Sequence, residues 1–173
     1  ETHYESFDGF VVLHGSDTMS YSASALSFML ENLNKPVIFT GSQLPLGVNR
    51  TDGKENFVTA LEIAAHLEDE TPVVPEVCIY FENELYRANR TFKYNAENFD
   101  AFRSVNYPVL AEIGVYIKYN LNAIHKPNFK KLRVHTRLDT SVAVLKLFPG
   151  IRNDYVKAFL GMNCLKAVVL ETY

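Results

Sequence analysis

The sequence contains no tryptophan, only two cysteines among its 173 residues, and no long apolar run. None of its apolar segments approaches the roughly 18 to 20 residues that a membrane-spanning helix needs. Residues 1–10 lack the basic and apolar regions of a signal peptide, so we expect a cytoplasmic protein that does not enter a membrane. Cys78 and Cys164 each lie in an apolar segment, and we interpret both as small buried residues of a reducing compartment.

Excess positive charge is also absent. The net charge is -3 and the sequence pI is about 6.0, which argues against a general nucleic-acid surface. The one basic cluster, residues 125–137, lacks interleaved aromatic residues and is interpreted as a solvated linker. With 47% hydrophobic and 21% charged residues, the composition is that of a soluble globular protein, and we expect no nucleic-acid partner.

Short apolar runs alternate with segments of helical period. This pattern predicts an α/β fold, a parallel sheet with helices on both faces. The predicted strands are residues 10–13, 36–40, 76–81, 141–147 and 166–172, and the predicted helices are residues 20–34, 56–67 and 153–160.

The pattern also predicts a division of the chain. Residues 1–115 are expected to form an incomplete N-terminal α/β domain, residues 116–137 an interdomain linker, and residues 138–173 the first β-α-β of a second domain. The last predicted strand has no helix or further strand to cover it. We therefore expect an internal part of a larger two-domain protein.

The first predicted strand runs directly into a small polar loop, "HGSDTM" at residues 14–19. Ligands of open parallel sheets bind beyond the carboxyl ends of the strands, where Gly15, Ser16 and Asp17 are predicted to lie. A glycine admits a close backbone approach, a hydroxyl and a carboxylate offer contacts, and the next helix presents free N–H groups. The alternative is that Asp17, Thr18 or Ser20 caps the helix and that Gly15 makes a turn.

Two further polar segments follow predicted strands. "TGSQ" at residues 40–43 is again small and contains glycine, and residues 82–93, "ENELYRANRTFK", concentrate positive charge and amides. The alternative interpretations are an ordinary turn and an exposed charged loop.

The segments "HGSDTM", "TGSQ" and "LYRANRTFK", taken together, resemble the N-terminal domain of bacterial-type L-asparaginases, most of all the cytoplasmic type I branch. The later "LFPGI" and "VVLETY" resemble the start of the second domain of that family, so the resemblance covers nearly the whole chain in order. It implies two α/β domains in a chain roughly twice this long. It also implies a homodimer or homotetramer that hydrolyses L-asparagine to L-aspartate and ammonia without a metal or cofactor.

The resemblance also assigns residues. It implies catalytic roles for Ser16, Asp17 and Lys93, substrate binding by Gly15, Ser16, Asp17 and Ser42, and no metal ligand. Ser16 stands where the family usually has threonine, so the methyl that restricts the side-chain rotamer is missing. Lys93 is interpreted as a base, a proton relay or a fixed cation.

Alternatives to this function stay open. The family's Thr-Gly-Gly-Thr-Ile motif, which supplies the favoured nucleophile, does not occur in this sequence. The alternatives to an asparaginase are the ammonia-generating subunit of a glutamyl-tRNA amidotransferase and a fragment that binds ligand without turning it over. Preference for asparagine over glutamine is not predicted.

Overall fold

The computed structural model describes residues 1–172, which form two compact units. The first unit comprises Glu1–His135 and the second begins at Thr136. Among the described residues, no helix has the length and apolar character required to cross a bilayer.

Both units combine strands with helices. The helices are α1 (Met19–Met29), α2 (Gly53–Ala65) and α3 (Asn153–Leu160), with short 3-10 helices at Tyr4–Ser6 and Ala88–Arg90. The strands are β1 (Phe10–Leu13), β2 (Leu30–Glu31), β3 (Val37–Thr40), β4 (Leu67–Glu68), β5 (Thr71–Pro72), β6 (Val77–Phe81), β7 (Glu84–Arg87), β8 (Phe92–Lys93), β9 (Phe102–Arg103), β10 (Ala111–Ile113), β11 (Ile117–Tyr119), β12 (Arg133–Val134), β13 (Val142–Lys146) and β14 (Ala167–Glu171).

A six-stranded sheet in the order β1-β3-β6-β7-β10-β11 organises the first unit. β1, β3 and β6 are parallel, whereas β7, β10 and β11 each pair antiparallel with their neighbours. The predicted α/β class is confirmed, and the sheet is mixed where we expected it to be wholly parallel. The antiparallel half arises because β6 turns back directly into β7.

The two long helices of this unit cover opposite faces of the sheet. Ile38 packs in one apolar cluster with Ile63 of α2, while Phe39, the next residue, packs in the other cluster with Met19 of α1. Successive side chains of a strand point to opposite faces, so an uninterrupted apolar strand serves both clusters. The resulting rigid core fixes the end of the sheet at which β1 and β3 terminate.

Two segments differ from the sequence-based predictions. α1 ends at Met29, five residues before the predicted end, because Leu30–Glu31 pairs with Arg133–Val134 and Asn32 adopts a positive φ of 60°. The segment predicted as a linker contributes strands β11 and β12 to the first unit. The exact division into 1–115, 116–137 and 138–173 stays a prediction.

The second unit has the predicted strand-helix-strand order. β13 and β14 are parallel, and α3 lies between them in sequence. Cys164 lies in an exposed turn before β14, so the interpretation of this cysteine as buried is wrong. Cys78 is fully buried in β6, and burial raises the pKa of its thiol well above the ordinary value.

Candidate active site

The loops after β1 and β3 leave the same edge of the sheet. Leu13 is the register partner of Thr40, and the His14 N–H donates a hydrogen bond of 2.9 Å to the Thr40 carbonyl. A Cβ added at Gly41 would lie 2.2 Å from the His14 carbonyl oxygen, so only glycine fits between the loops. Ser16 and Asp17 are thereby held beside the "TGSQ" loop.

Lys93 reaches this edge from a separate part of the first unit. It ends β8, which pairs with β9 through Phe92↔Arg103 and Lys93↔Phe102. α1 packs against the 3-10 helix Ala88–Arg90 and against β8, and Ala88 is fully buried beneath it. This packing brings the side chain of Lys93 to the loop that precedes α1.

Ser16, Asp17 and Lys93 come together at one point. Lys93 Nζ lies 2.9 Å from Ser16 Oγ and 2.7 Å from Asp17 Oδ1, although the lysine is 77 and 76 residues away in sequence. Both distances are those of good hydrogen bonds, and a lysine ammonium donates both. The structure therefore joins the hydroxyl and the carboxylate through one cation.

The two charged groups differ in their exposure. The side chain of Lys93 is 16% exposed and that of Asp17 is 90% exposed. The hydrogen bond from Lys93, followed by its positive charge, lowers the pKa of Asp17 below the ordinary value. Asp17 is thus an ionised carboxylate with free oxygen lone pairs facing solvent.

The simpler interpretation of this loop, as a helix cap, has little support. Thr18 is the residue that precedes α1, and its side chain makes no capping hydrogen bond. The carboxylate of Asp17 is instead directed to Lys93.

Gln43 is a polar contact of Ser16 to which the sequence analysis gave no role. Ser16 Oγ donates to Gln43 Oε1 at 2.9 Å, and Gln43 Nε2 donates to the carbonyls of Ala96 and Asn98 at 3.3 and 3.0 Å. Gln43 therefore links the loop after β1 to the turn that follows Lys93. No local pattern marked this role, since an isolated glutamine is common on protein surfaces.

Side chains at the start of α2 hold the "TGSQ" loop in place through hydrogen bonds to its backbone. The carboxylate of Asp52 accepts hydrogen bonds from the backbone N–H groups of Gln43 and Leu44 at 2.9 to 3.2 Å. Asn56, 2% exposed, donates to the Gly41 carbonyl at 3.0 Å and accepts from the Glu82 N–H at 3.1 Å. Asn56 thus ties together the ends of β3 and β6, while Asp52, the residue before α2, fixes the loop after β3.

The two other predicted binding residues lie in these loops. Ser42 packs against Gly53, where an added Cβ would come within 3.0 Å of the Ser42 Cβ. A Cβ at Gly15 would meet no atom within 4 Å, so a ligand could approach this backbone closely. Their roles in substrate binding stay predictions, as do those of Ser16, Asp17 and Lys93.

An open cleft of about 750 Å³ adjoins the ion pair. Asp17 and Lys93 line one part of it, and Tyr21, Ala25 and Tyr94 line another. A small polar molecule therefore has access to the carboxylate of Asp17.

Comparison with known proteins identifies relatives over the whole chain. L-asparaginase 1 of Escherichia coli K12 is 48% identical over an alignment of 174 positions that covers 100% of this chain and 49% of that protein. The 60 kDa lysophospholipase of Mus musculus is 46% identical over 100% of this chain and 30% of its own length. A glutamyl-tRNA(Gln) amidotransferase component of Pyrococcus abyssi is 32% identical over 94% of this chain and 38% of its own length.

Comparison of the fold with solved structures also finds asparaginases. L-asparaginase I from Vibrio cholerae superposes with a TM-score of 0.86 at 42% identity, covering 98% of this chain and 50% of that one. The chain thus spans about half the length of these two asparaginases. The family model described as "Asparaginase, N-terminal" matches residues 1–125, and the chain belongs to this asparaginase family.

Proposed function

We propose that this chain forms part of the catalytic domain of an L-asparaginase, an amidohydrolase that converts L-asparagine and water to L-aspartate and ammonia. The observation that carries this proposal is the single cation, Lys93, bonded to both the Ser16 hydroxyl and the Asp17 carboxylate. The longer enzyme that contains the chain is called the parent protein below. We propose that it is a cytoplasmic homodimer or homotetramer.

The geometry supports separate roles for the two loop residues. Asp17 is ionised and largely exposed, so it can accept hydrogen bonds from the α-ammonium group of a free amino acid. Ser16 is part-buried, and in this proposal its hydroxyl oxygen faces the side-chain amide of the substrate. In the overall reaction a water oxygen bonds to the amide carbon, the C–N bond breaks, and the nitrogen leaves as ammonia with a proton from that water.

Lys93 acts in this proposal as a fixed cation. In its ammonium form the lysine can only donate, so Ser16 Oγ accepts from it and directs its own proton to Gln43 Oε1. A positive charge beside the hydroxyl stabilises negative charge that develops on oxygen during attack on the amide.

The nucleophile itself is proposed to lie outside these residues. The resemblance implies a threonine in a Thr-Gly-Gly-Thr-Ile motif, and the sequence contains no such motif. Ser16 is then the second of two hydroxyl groups at the site. Gly15 and Ser42 contribute backbone contacts to the substrate.

The proposal is tested by assaying ammonia release from L-asparagine by the purified parent protein. Ser16→Ala and Lys93→Met are expected to lower kcat by about 10²-fold or more, the usual loss for a polar group that acts in the transition state. Asp17→Asn is expected to raise KM, because it removes the charge that binds the α-ammonium group. Lys118→Met, at an exposed lysine on β11, is the control and should change neither constant.

A folded, oligomeric parent protein that releases no ammonia from asparagine would refute the proposal. L-Glutamine in the same assay measures the preference between the two amides. A lysophospholipid tests the activity named in the mouse relative, and ammonia-dependent modification of glutamyl-tRNA tests the amidotransferase alternative. The net charge of -3 and the higher identity to the asparaginase favour hydrolysis of the free amino acid.

A further inference from the structure

We infer that Gln43 is a positioning residue that holds the Ser16 side chain in one rotamer, the task that a threonine methyl would otherwise perform. The inference rests on the proposed function and extends it to a residue outside the predicted site. Gln43 has no proposed contact with the substrate or the reacting atoms, and acts only through Ser16.

The orientation of the Gln43 amide follows from its partners. Nε2 faces the carbonyl oxygens of Ala96 and Asn98 at 3.3 and 3.0 Å, and a carbonyl can only accept. Oε1 must then face Ser16, where it accepts the hydroxyl proton at 2.9 Å. The amide is held at both ends, so its acceptor is fixed in space.

The hydroxyl is fixed as a result. Ser16 Oγ accepts from Lys93 Nζ and donates to Gln43 Oε1, both at 2.9 Å. An oxygen with one proton and two lone pairs keeps a single lone pair free in this arrangement. That lone pair is the one available to a substrate or to an attacking water.

Ser16 needs an external contact to fix its rotamer because it is a serine. A threonine at this position would have a restricted χ1, whereas serine has three staggered wells and no β-branch to select among them. Gln43 itself cannot drift, because Asp52 holds its backbone N–H at 2.9 and 3.1 Å. The hydrogen bond therefore supplies a rotamer preference that the side chain lacks.

Gln43→Met in the parent protein keeps the length of the side chain and removes both sets of hydrogen bonds. We expect kcat for asparagine to fall about three- to tenfold with KM little changed, since only the bond from Lys93 then selects among the χ1 wells and one neutral hydrogen bond biases a population by about that factor. Adding Ser16→Thr should recover most of the loss, because the methyl restores the restriction. Crystal structures should show one Ser16 rotamer in the wild type, several in Gln43→Met and one in the double variant.

Two matched variants separate this role from mere support of the turn at residues 95–98. Gln43→Glu keeps an acceptor for the Ser16 hydroxyl and loses the donors to the turn, so a single Ser16 rotamer should persist. Asn95→Ala loosens the same turn, since Asn95 Oδ1 accepts from the Glu97 N–H at 2.7 Å, and Ser16→Thr should not rescue any loss it causes.

The inference is wrong if Ser16 keeps one rotamer in Gln43→Met, or if Ser16→Thr leaves the kinetic loss unchanged. The crystallographic result decides the inference even for a parent protein that hydrolyses no asparagine. Absence of asparagine hydrolysis would overturn the proposed function alone.

Discussion

Asp17 and Lys93 form an ion pair in which the acid is exposed and the base is largely buried. Lys93 lowers the pKa of Asp17, so the ionised carboxylate is favoured in the folded state. The stability that this group contributes is present above the unfolded aspartate pKa of about 3.9. It is lost as the pH falls through the lowered pKa of the folded state.

Removal of Lys93 should abolish the lowering of the Asp17 pKa. In Lys93→Met the pKa of Asp17 is expected to rise toward its ordinary value, because both the hydrogen bond and the charge are gone. Titration of the Asp17 side-chain carboxyl by NMR measures the change. Asp139, whose pKa is lowered by Ser141 and Lys166, is the internal control. An unchanged Asp17 midpoint would show that the pair does not persist in solution.

Gly41 and Gly15 differ in how much an added Cβ should change the stability of the fold. Gly41→Ala forces a Cβ against the His14 carbonyl oxygen at 2.2 Å, and is expected to destabilise the fold by about 1–3 kcal/mol. Gly15→Ala meets no atom within 4 Å and should change stability by less than about 0.5 kcal/mol. Urea denaturation of the parent protein measures both values. If the backbone of Gly15 lies against the substrate as proposed, Gly15→Ala raises KM while the protein stays folded.

At the scale of elements, the first turn of α2 acts as a clamp on the sheet edge. Asn56 is buried and connects the Gly41 carbonyl after β3 with the Glu82 N–H after β6. Asp52, one turn earlier, holds the loop between Gly41 and Leu44. The helix thus stabilises the loop that carries Gln43, although it contributes no group to the ion pair.

Asn56→Ala should therefore destabilise the fold and loosen the site. Removing one amide leaves a carbonyl and an N–H without their partners, at a cost of about 2–4 kcal/mol in the free energy of unfolding. Lys54→Ala, at an exposed position of the same helical turn, should change it by less than about 0.5 kcal/mol. Urea denaturation checks the pair of variants, and equal stabilities would contradict the role of Asn56 as a clamp.

The elements that the sequence predicted are those with a strong local pattern. β1, β3 and β6 are short apolar runs bounded by turn residues, and α3 was predicted with its observed bounds. β7 was missed because charged residues at both of its ends, Glu84 and Arg87, resemble an exposed loop. Leu85 and Tyr86 between them are buried, and Arg87 is neutralised by Glu76 at 2.5 Å. Pairing with β6, which no local pattern encodes, decides the strand.

The residues of the candidate site also include some that the sequence predicted and some that it did not. Ser16, Asp17 and Lys93 were found because they lie in segments that resemble a family, and their convergence depends on contacts 76 and 77 residues apart in sequence. The clamp residue Asn56 and the amide of Gln43 carry no comparable signal, since an isolated asparagine or glutamine is common on any surface. Asn56 gains its partners through the packing of α2 under the sheet edge, and the Gln43 amide gains its partners from the loop after β1 and the turn at residues 95–98.

At the scale of the whole molecule, both units expose large apolar side chains. Tyr21 and Phe28 of α1 are 76% and 72% exposed, and Val144 and Leu170 of the second unit are 60% and 56% exposed. Apolar side chains exposed in such numbers on strands and helices are typical of surfaces that pack against further protein. The asparaginases of Escherichia coli and Vibrio cholerae are about twice as long and contain additional chain that could cover such surfaces.

The 173 residues expressed alone are therefore expected to be poorly soluble and to release no ammonia from asparagine, whereas the parent protein is expected to stay in solution and to release ammonia. The physical reasons are the uncovered apolar faces and sheet edges and the lack of the first hydroxyl that the family resemblance implies. Ammonia release and sedimentation of the two proteins at equal concentration measure the difference. Ser16→Ala in the parent protein is the matched control, since it removes one hydroxyl and leaves the surface unchanged. Hydrolysis of asparagine by the 173-residue chain would show that Ser16 and Lys93 suffice for the reaction without a second nucleophile.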